Sequence, residues 1–100
     1  MTVELRPYDT SKYLKTEEDI AYYLEAIIEE DPSLLPSALG DVARARGMTE
    51  LARKTGLSRE ALYRSLSEDG DPRYSTVTKI LTAYGTRIRF ERDEAAAAAS

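Results

Sequence analysis

Cysteine and histidine are both absent from the 100 residues, and that pair of absences removes most catalytic machinery at once. Disulfides, thiol nucleophiles, imidazole bases and the usual transition-metal ligands are all excluded. Carboxylate or lysine chemistry survives the exclusion, but the acidic residues fall on helix faces that read as solvated, with no paired arrangement among them. The expectation is therefore a protein that is not an enzyme and needs no cofactor or metal. Long apolar runs are missing as well. No basic N-terminal segment leads into an apolar stretch, so neither a secretory leader nor a membrane span is expected, and the reading is cytoplasmic.

The chain has the length of one domain with a modest core. Its net charge of −4 is unevenly spread. Residues 1–40 hold three Lys/Arg against nine Asp/Glu, whereas residues 41–92 hold eleven against seven. Charges further apart than about 8 Å are largely screened at physiological salt, so a locally basic segment can bind phosphates in an acidic chain. The division suggests two partners of different charge; solubility of a small domain explains it equally well.

Along the chain, Val3-Glu4-Leu5-Arg6 alternates like a short strand. Thr16 and Asp19 form a capping box ahead of Ile20, Tyr23, Leu24, Ile27 and Ile28, which recur at helical spacing and predict a helix over about 17–30. Asp31-Pro32 ends it. Ser33 can cap a second helix to about Arg46, with Leu35, Leu39, Val42 and Ala43 as its apolar stripe and Gly47 as its left-handed end. Thr49 can cap a third through Lys54, and Ser58 a fourth to about Leu66. After the turn formers 67–72, Ser75 opens a fifth helix with Val77, Ile80, Leu81 and Tyr84 in line, closed by Gly85. Residues 87–92 alternate strictly and predict a strand burying Ile88 and Phe90, able to pair with residues 3–6. One domain over 1–92 and a disordered Ala-rich tail over 93–100 are expected.

The informative set lies between the third and fourth helices. A helix-turn-helix needs a small residue where its helices cross and a tight turn between them. Ala52 and Gly56 occupy those places, and Leu51, Leu57 and Leu62 supply the buried residues. The fourth helix then frees Arg59, Glu60, Tyr63 and Arg64 along one side. Arg can grip guanine edges or phosphate bidentately, so Thr49, Lys54, Ser58, Arg59, Glu60, Tyr63 and Arg64 are the candidate DNA-binding residues. An ordinary helical hairpin with solvated charges is the bland alternative. Ser65 stands where many such motifs carry an apolar residue, and Leu66 follows it, which implies a helix rotated or ended differently from the general pattern.

The run 38–72, ALGDVARARGMTELARKTGLSREALYRSLSEDGDP, together with YLKTEEDIAYYL at 13–24, resembles the addiction-module antidote proteins, HigA-like antitoxins also described as prophage helix-turn-helix DNA-binding proteins. The likeness covers about residues 8–90, and Leu66 agrees with that family's Tyr-Arg-Ser-Leu pattern. It implies an all-α, five-helix lambda-repressor-like fold, here with short terminal strands. It further implies an antitoxin that neutralises a RelE/ParE-type toxin and represses their operon as a homodimer on operator DNA. The acidic first forty residues favour that reading over a prophage-type repressor without a toxin partner, and Arg59 and Arg64 argue against an adaptor that no longer binds DNA. Glu18, Tyr22, Glu25 and Glu29 are the candidate toxin contacts, and Ile80, Tyr84, Ile88 and Phe90 are candidates for either dimer surface or core.

Overall fold

A computed structural model describes residues 13–99. From residue 14 on, the described residues form six α-helices in turn: α1 (Glu17–Glu30), α2 (Leu35–Arg46), α3 (Met48–Thr55), α4 (Arg59–Ser65), α5 (Tyr74–Ala83) and α6 (Glu94–Ala99). A 3₁₀ turn, Pro32–Leu34, separates α1 from α2. The expected residues 3–6 lie outside the described part.

The start of α1 follows its sequence. Thr16 Oγ1 accepts from the Asp19 amide at 3.0 Å, and Asp19 Oδ2 accepts from the Thr16 amide at 3.0 Å, so two amides left over at the helix start are satisfied reciprocally. These bonds favour the ionised carboxylate, and the Asp19 pKa lies below its ordinary value. Two later starts differ from expectation. Asp31, not Ser33, is the cap after α1: its Oδ1 accepts from both the amide and the hydroxyl of Ser33, because Pro32 opens the 3₁₀ turn one residue earlier. Gly47, with φ 108°, ends α2 and begins α3 in one residue. Thr49 therefore lies inside the first turn of α3 and does not cap it. Helix α5 likewise begins at Tyr74, with Arg73 at its cap position.

The core draws on every helix up to α5. Ile20 and Leu24 of α1, Leu39, Val42 and Ala43 of α2, and Met48 and Leu51 of α3 are buried with Leu62 and Leu66 and with Val77, Ile80, Leu81 and Tyr84. Burial of each large side chain is worth about 1.5–3 kcal/mol. Helix α1 packs on α2, and α3 touches α2, α4 and α5, which makes it the central element. Gly40 lets the chain close further: a Cβ there would stand 2.6 Å from the Leu66 carbonyl oxygen, so a bare backbone on α2 receives the end of α4. Between α1 and α2, the Tyr23 hydroxyl donates to Asp41 Oδ2 at 3.1 Å, and Arg44 donates to the other oxygen at 2.9 Å.

The strand over 87–92 is not found. Among the described residues there is no strand, and Ile88 and Phe90 stay exposed, Phe90 at 94%. Alternation marks two faces, but it needs a neighbouring strand to become a sheet. Ile80 and Tyr84 are core and cannot form a dimer surface as they stand. In the Ala-rich tail, Asp93 Oδ1 accepts from the Ala96 amide at 3.1 Å at the start of α6.

Candidate functional site

Helices α3 and α4 are joined by three residues, and each bond in that joint traces to a residue type the turn requires. Gly56 takes the left-handed conformation (φ 76°, ψ 9°) and its amide closes on the Ala52 carbonyl at 2.9 Å, a backbone state cheap only for glycine. Thr55 Oγ1 donates to the Leu51 carbonyl at 2.8 Å and accepts from the Leu57 amide at 3.3 Å, which ties the turn back to α3. Ser58 Oγ then accepts from the Ala61 amide at 3.0 Å and starts α4, as the sequence predicts.

Burial fixes which side of α4 is free. Leu62 and Leu66 are fully buried, while Leu57 and Ala61 are half-buried. Leu66 thus takes the inward position that Ser65 cannot, and Ser65 is half-buried beside it. Arg59, Glu60, Tyr63 and Arg64 are all exposed, and positions i, i+1, i+4 and i+5 share one helix face. Thr49 and Lys54 repeat the same spacing on α3, with Glu50 and Arg53 between them, and all four are exposed. Arg53 is committed to Glu50 through two bonds, Nε to Oε2 at 3.2 Å and Nη2 to Oε1 at 2.5 Å; this pairing lowers the Glu50 pKa and raises that of Arg53. Among the described residues, Lys54, Arg59 and Arg64 form no ion pair. They are uncommitted cations of this surface.

One further residue belongs here. Arg73 and Arg64 both line a shallow groove of about 180 Å³ with Leu57, Pro72 and Asp71. An isolated Arg after a stretch of turn formers carries no periodic signal, so sequence reasoning passed over it.

The acidic candidates gather on α1. Glu18, Tyr22, Glu25 and Glu29 are exposed, Tyr22 at 77%, and their spacing of four, three and four places them on one stripe, while Ile20 and Leu24 on another side enter the core. A smaller cleft of about 50 Å³ lies between Glu17, Arg46, Glu50, Lys54 and Tyr84. Burial pushes the Tyr84 hydroxyl up to about 12, and it has no hydrogen-bond partner among the described residues. Among these residues no group of carboxylates could hold a metal ion, and no helix is long and apolar enough to cross a membrane.

Comparison with known proteins adds what geometry alone does not. Residues 4–92 match the family model described as probable addiction module antidote protein. The chain belongs to this family. An uncharacterised protein of Haemophilus influenzae (strain KW20 / Rd) is 43% identical over 93 residues, covering 92% of this chain and 96% of the relative. No solved structure matches the chain significantly. Membership points to an antidote's role in a toxin–antitoxin pair, and so to a toxin partner in general.

Proposed function

We propose that this antidote is an antitoxin that neutralises a RelE/ParE-type toxin and represses its own operon, with α3 and α4 as a helix-turn-helix of the HigA-like, lambda-repressor-like kind. The single observation carrying the DNA-binding part is the presentation of α4. One side is anchored by Leu62 and Leu66, and the other offers Arg59, Tyr63 and Arg64 with no ion pair to a described residue. In such motifs the N-terminal part of the second helix meets the base edges. Arg59 or Arg64 would contact guanine or phosphate, Glu60 and Tyr63 would flank them, and Thr49, Lys54 and Ser58 would hold the backbone. Ser58 Oγ accepts the Ala61 amide in the cap, and its hydroxyl hydrogen is the group it would donate to a phosphate oxygen.

The acidic stripe of α1, Glu18, Tyr22, Glu25 and Glu29, is the proposed toxin-facing surface. A negative field speeds association with a basic partner, and an exposed tyrosine supplies apolar contact that slows release. Binding and masking need no catalysis, so the protein acts without enzymatic activity. As one short helix makes few base contacts, the operator-bound form is a homodimer with half-sites about 10 bp, roughly 34 Å, apart.

The test is binding to the protein's own promoter. Arg59→Ala/Arg64→Ala should lose about 1–3 kcal/mol for each guanine contact removed while keeping the helical content. Undiminished operator binding by the folded double variant refutes the placement. Charge reversal at Glu18, Glu25 and Glu29 should weaken toxin binding and spare operator binding.

A further inference from the structure

The segment after α5 has the pattern of a strand and none of the described residues pairs with it. Its start is fixed: the amide and the hydroxyl of Thr86 both donate to the Leu81 carbonyl, at 2.8 and 2.9 Å. From there to Asp93 the backbone runs without regular structure and every side chain is exposed, Ile88 at 40% and Phe90, the single phenylalanine of the chain, at 94%. Arg87, Arg89, Glu91 and Asp93 fall on one side of the alternation and Ile88, Phe90 and Arg92 on the other.

We propose that residues 87–93 are a self-pairing strand, through which two copies of this chain dimerise antiparallel about Phe90. The charged side reads two cations followed by two anions. Laid antiparallel about Phe90, each Arg89 faces Glu91 of the second copy and each Arg87 faces its Asp93, so four opposite-charge pairs form and no like charges meet. On the other side Phe90 meets Phe90, and the aliphatic stem of Arg92 covers Ile88. Other registers lose this match. Centring on Ile88 sets Arg87 against Arg89, and centring on Arg89 sets that residue against its own copy. A slip of one residue puts the charged side opposite the apolar one, and parallel pairing in register stacks like on like. The stripe carries no net charge, so neither a basic nor an acidic partner fits it as well as its own copy. Asp93 uses only Oδ1 in capping α6, which leaves Oδ2 for Arg87.

This surface gives the dimer of the preceding reading a location, yet it requires neither DNA nor toxin, so the test omits both. The full chain is sized by sedimentation equilibrium at high micromolar concentration, with far-UV circular dichroism confirming that each variant keeps its helices. Wild type should be dimeric. Arg87→Glu/Arg89→Glu makes the stripe wholly anionic and Glu91→Arg/Asp93→Arg makes it wholly cationic. Each should weaken self-association about tenfold or more, since four facing pairs turn from attraction to repulsion. An equimolar mixture of the two should form heterodimers, and the quadruple variant, with its stripe inverted, should dimerise again. A monomeric wild type, double variants that still dimerise, or a mixture that stays monomeric each overturns the proposal. Failure here leaves operator binding to be judged by its own assay.

Discussion

Replacing Gly40 by alanine tests the close approach of α2 and α4, because two well-known effects oppose each other there. Glycine inside a helix is unfavourable, and alanine in its place ordinarily stabilises by about 1 kcal/mol. At this position the new methyl would stand 2.6 Å from the Leu66 carbonyl oxygen, about 0.8 Å inside the shortest ordinary contact of 3.4 Å, and 3.4 Å from both terminal nitrogens of Arg44. Arg44 can swing away. The carbonyl belongs to the last turn of α4, so relief requires one helix to move against the other. Overpacking of this kind costs about 1–3 kcal/mol, at the upper end when both sides are backbone. Subtracting the propensity gain leaves a net loss of about 1–2 kcal/mol, which in a domain of this size lowers Tm by about 5–15 °C. Thermal and urea unfolding followed at 222 nm would measure it, and, on the proposed DNA-binding reading, the operator affinity of the folded variant should fall as α4 shifts. A Gly40→Ala protein that is as stable as wild type, or more so, refutes the tight approach and the reasoning built on it.

Ser58→Ala should cost about 1 kcal/mol by removing the cap of α4, whereas Ser58→Asp should retain most of it; equal stability of the two variants in urea would contradict the capping bond. Tyr23→Phe removes a bond to Asp41 and should cost about 1 kcal/mol, while Tyr84→Phe removes a hydroxyl without a described partner and should change stability by less than about 0.5 kcal/mol. Both tyrosines have pKa values pushed from 10.0 up to about 12, chiefly by burial, with the Asp41 charge adding to the shift at Tyr23. A folded-state value above the unfolded one means that the stabilisation is complete below pH 10 and is lost as the pH rises toward 12. Alkaline titration by absorbance should show two late tyrosines, and the double phenylalanine variant should lose less stability across that interval.

Much of the fold was legible wherever a local rule and the core agree. The Thr16–Asp19 box, the Ser58 cap, the left-handed Gly56 and the buried pair Leu62 and Leu66 each depend on residues within one turn of each other, so the sequence displays them directly. The failures have a common cause. Thr49 and Ser33 are competent caps, but whether a helix starts there depends on what the preceding residue does, and the Gly47 and Pro32 conformations start the structure earlier. The strand over 87–92 is a property of two segments, and the expected partner, residues 3–6, lies outside the described residues. Ile80 and Tyr84 could have been surface or core by periodicity alone; packing of α5 on α3 and burial in the common core decide for core. Of the candidate site, sequence reasoning found the exposed faces of α1 and α4, and missed Arg73, which comes to line the same groove as Arg64 only through the tertiary path of the 67–73 loop.

The central place of α3 has a consequence for hydrogen exchange. Helix α4 holds seven residues, too few to persist by themselves in water, and its inner side rests on a core shared with α3, which also supports α2 and α5. Its amides should therefore open in the same cooperative event as those of α3, not by separate fraying. The face offered to a partner is then present in full or lost with the whole domain, and the amount of folded protein, more than any local loosening of α4, sets how much recognition surface a cell has available.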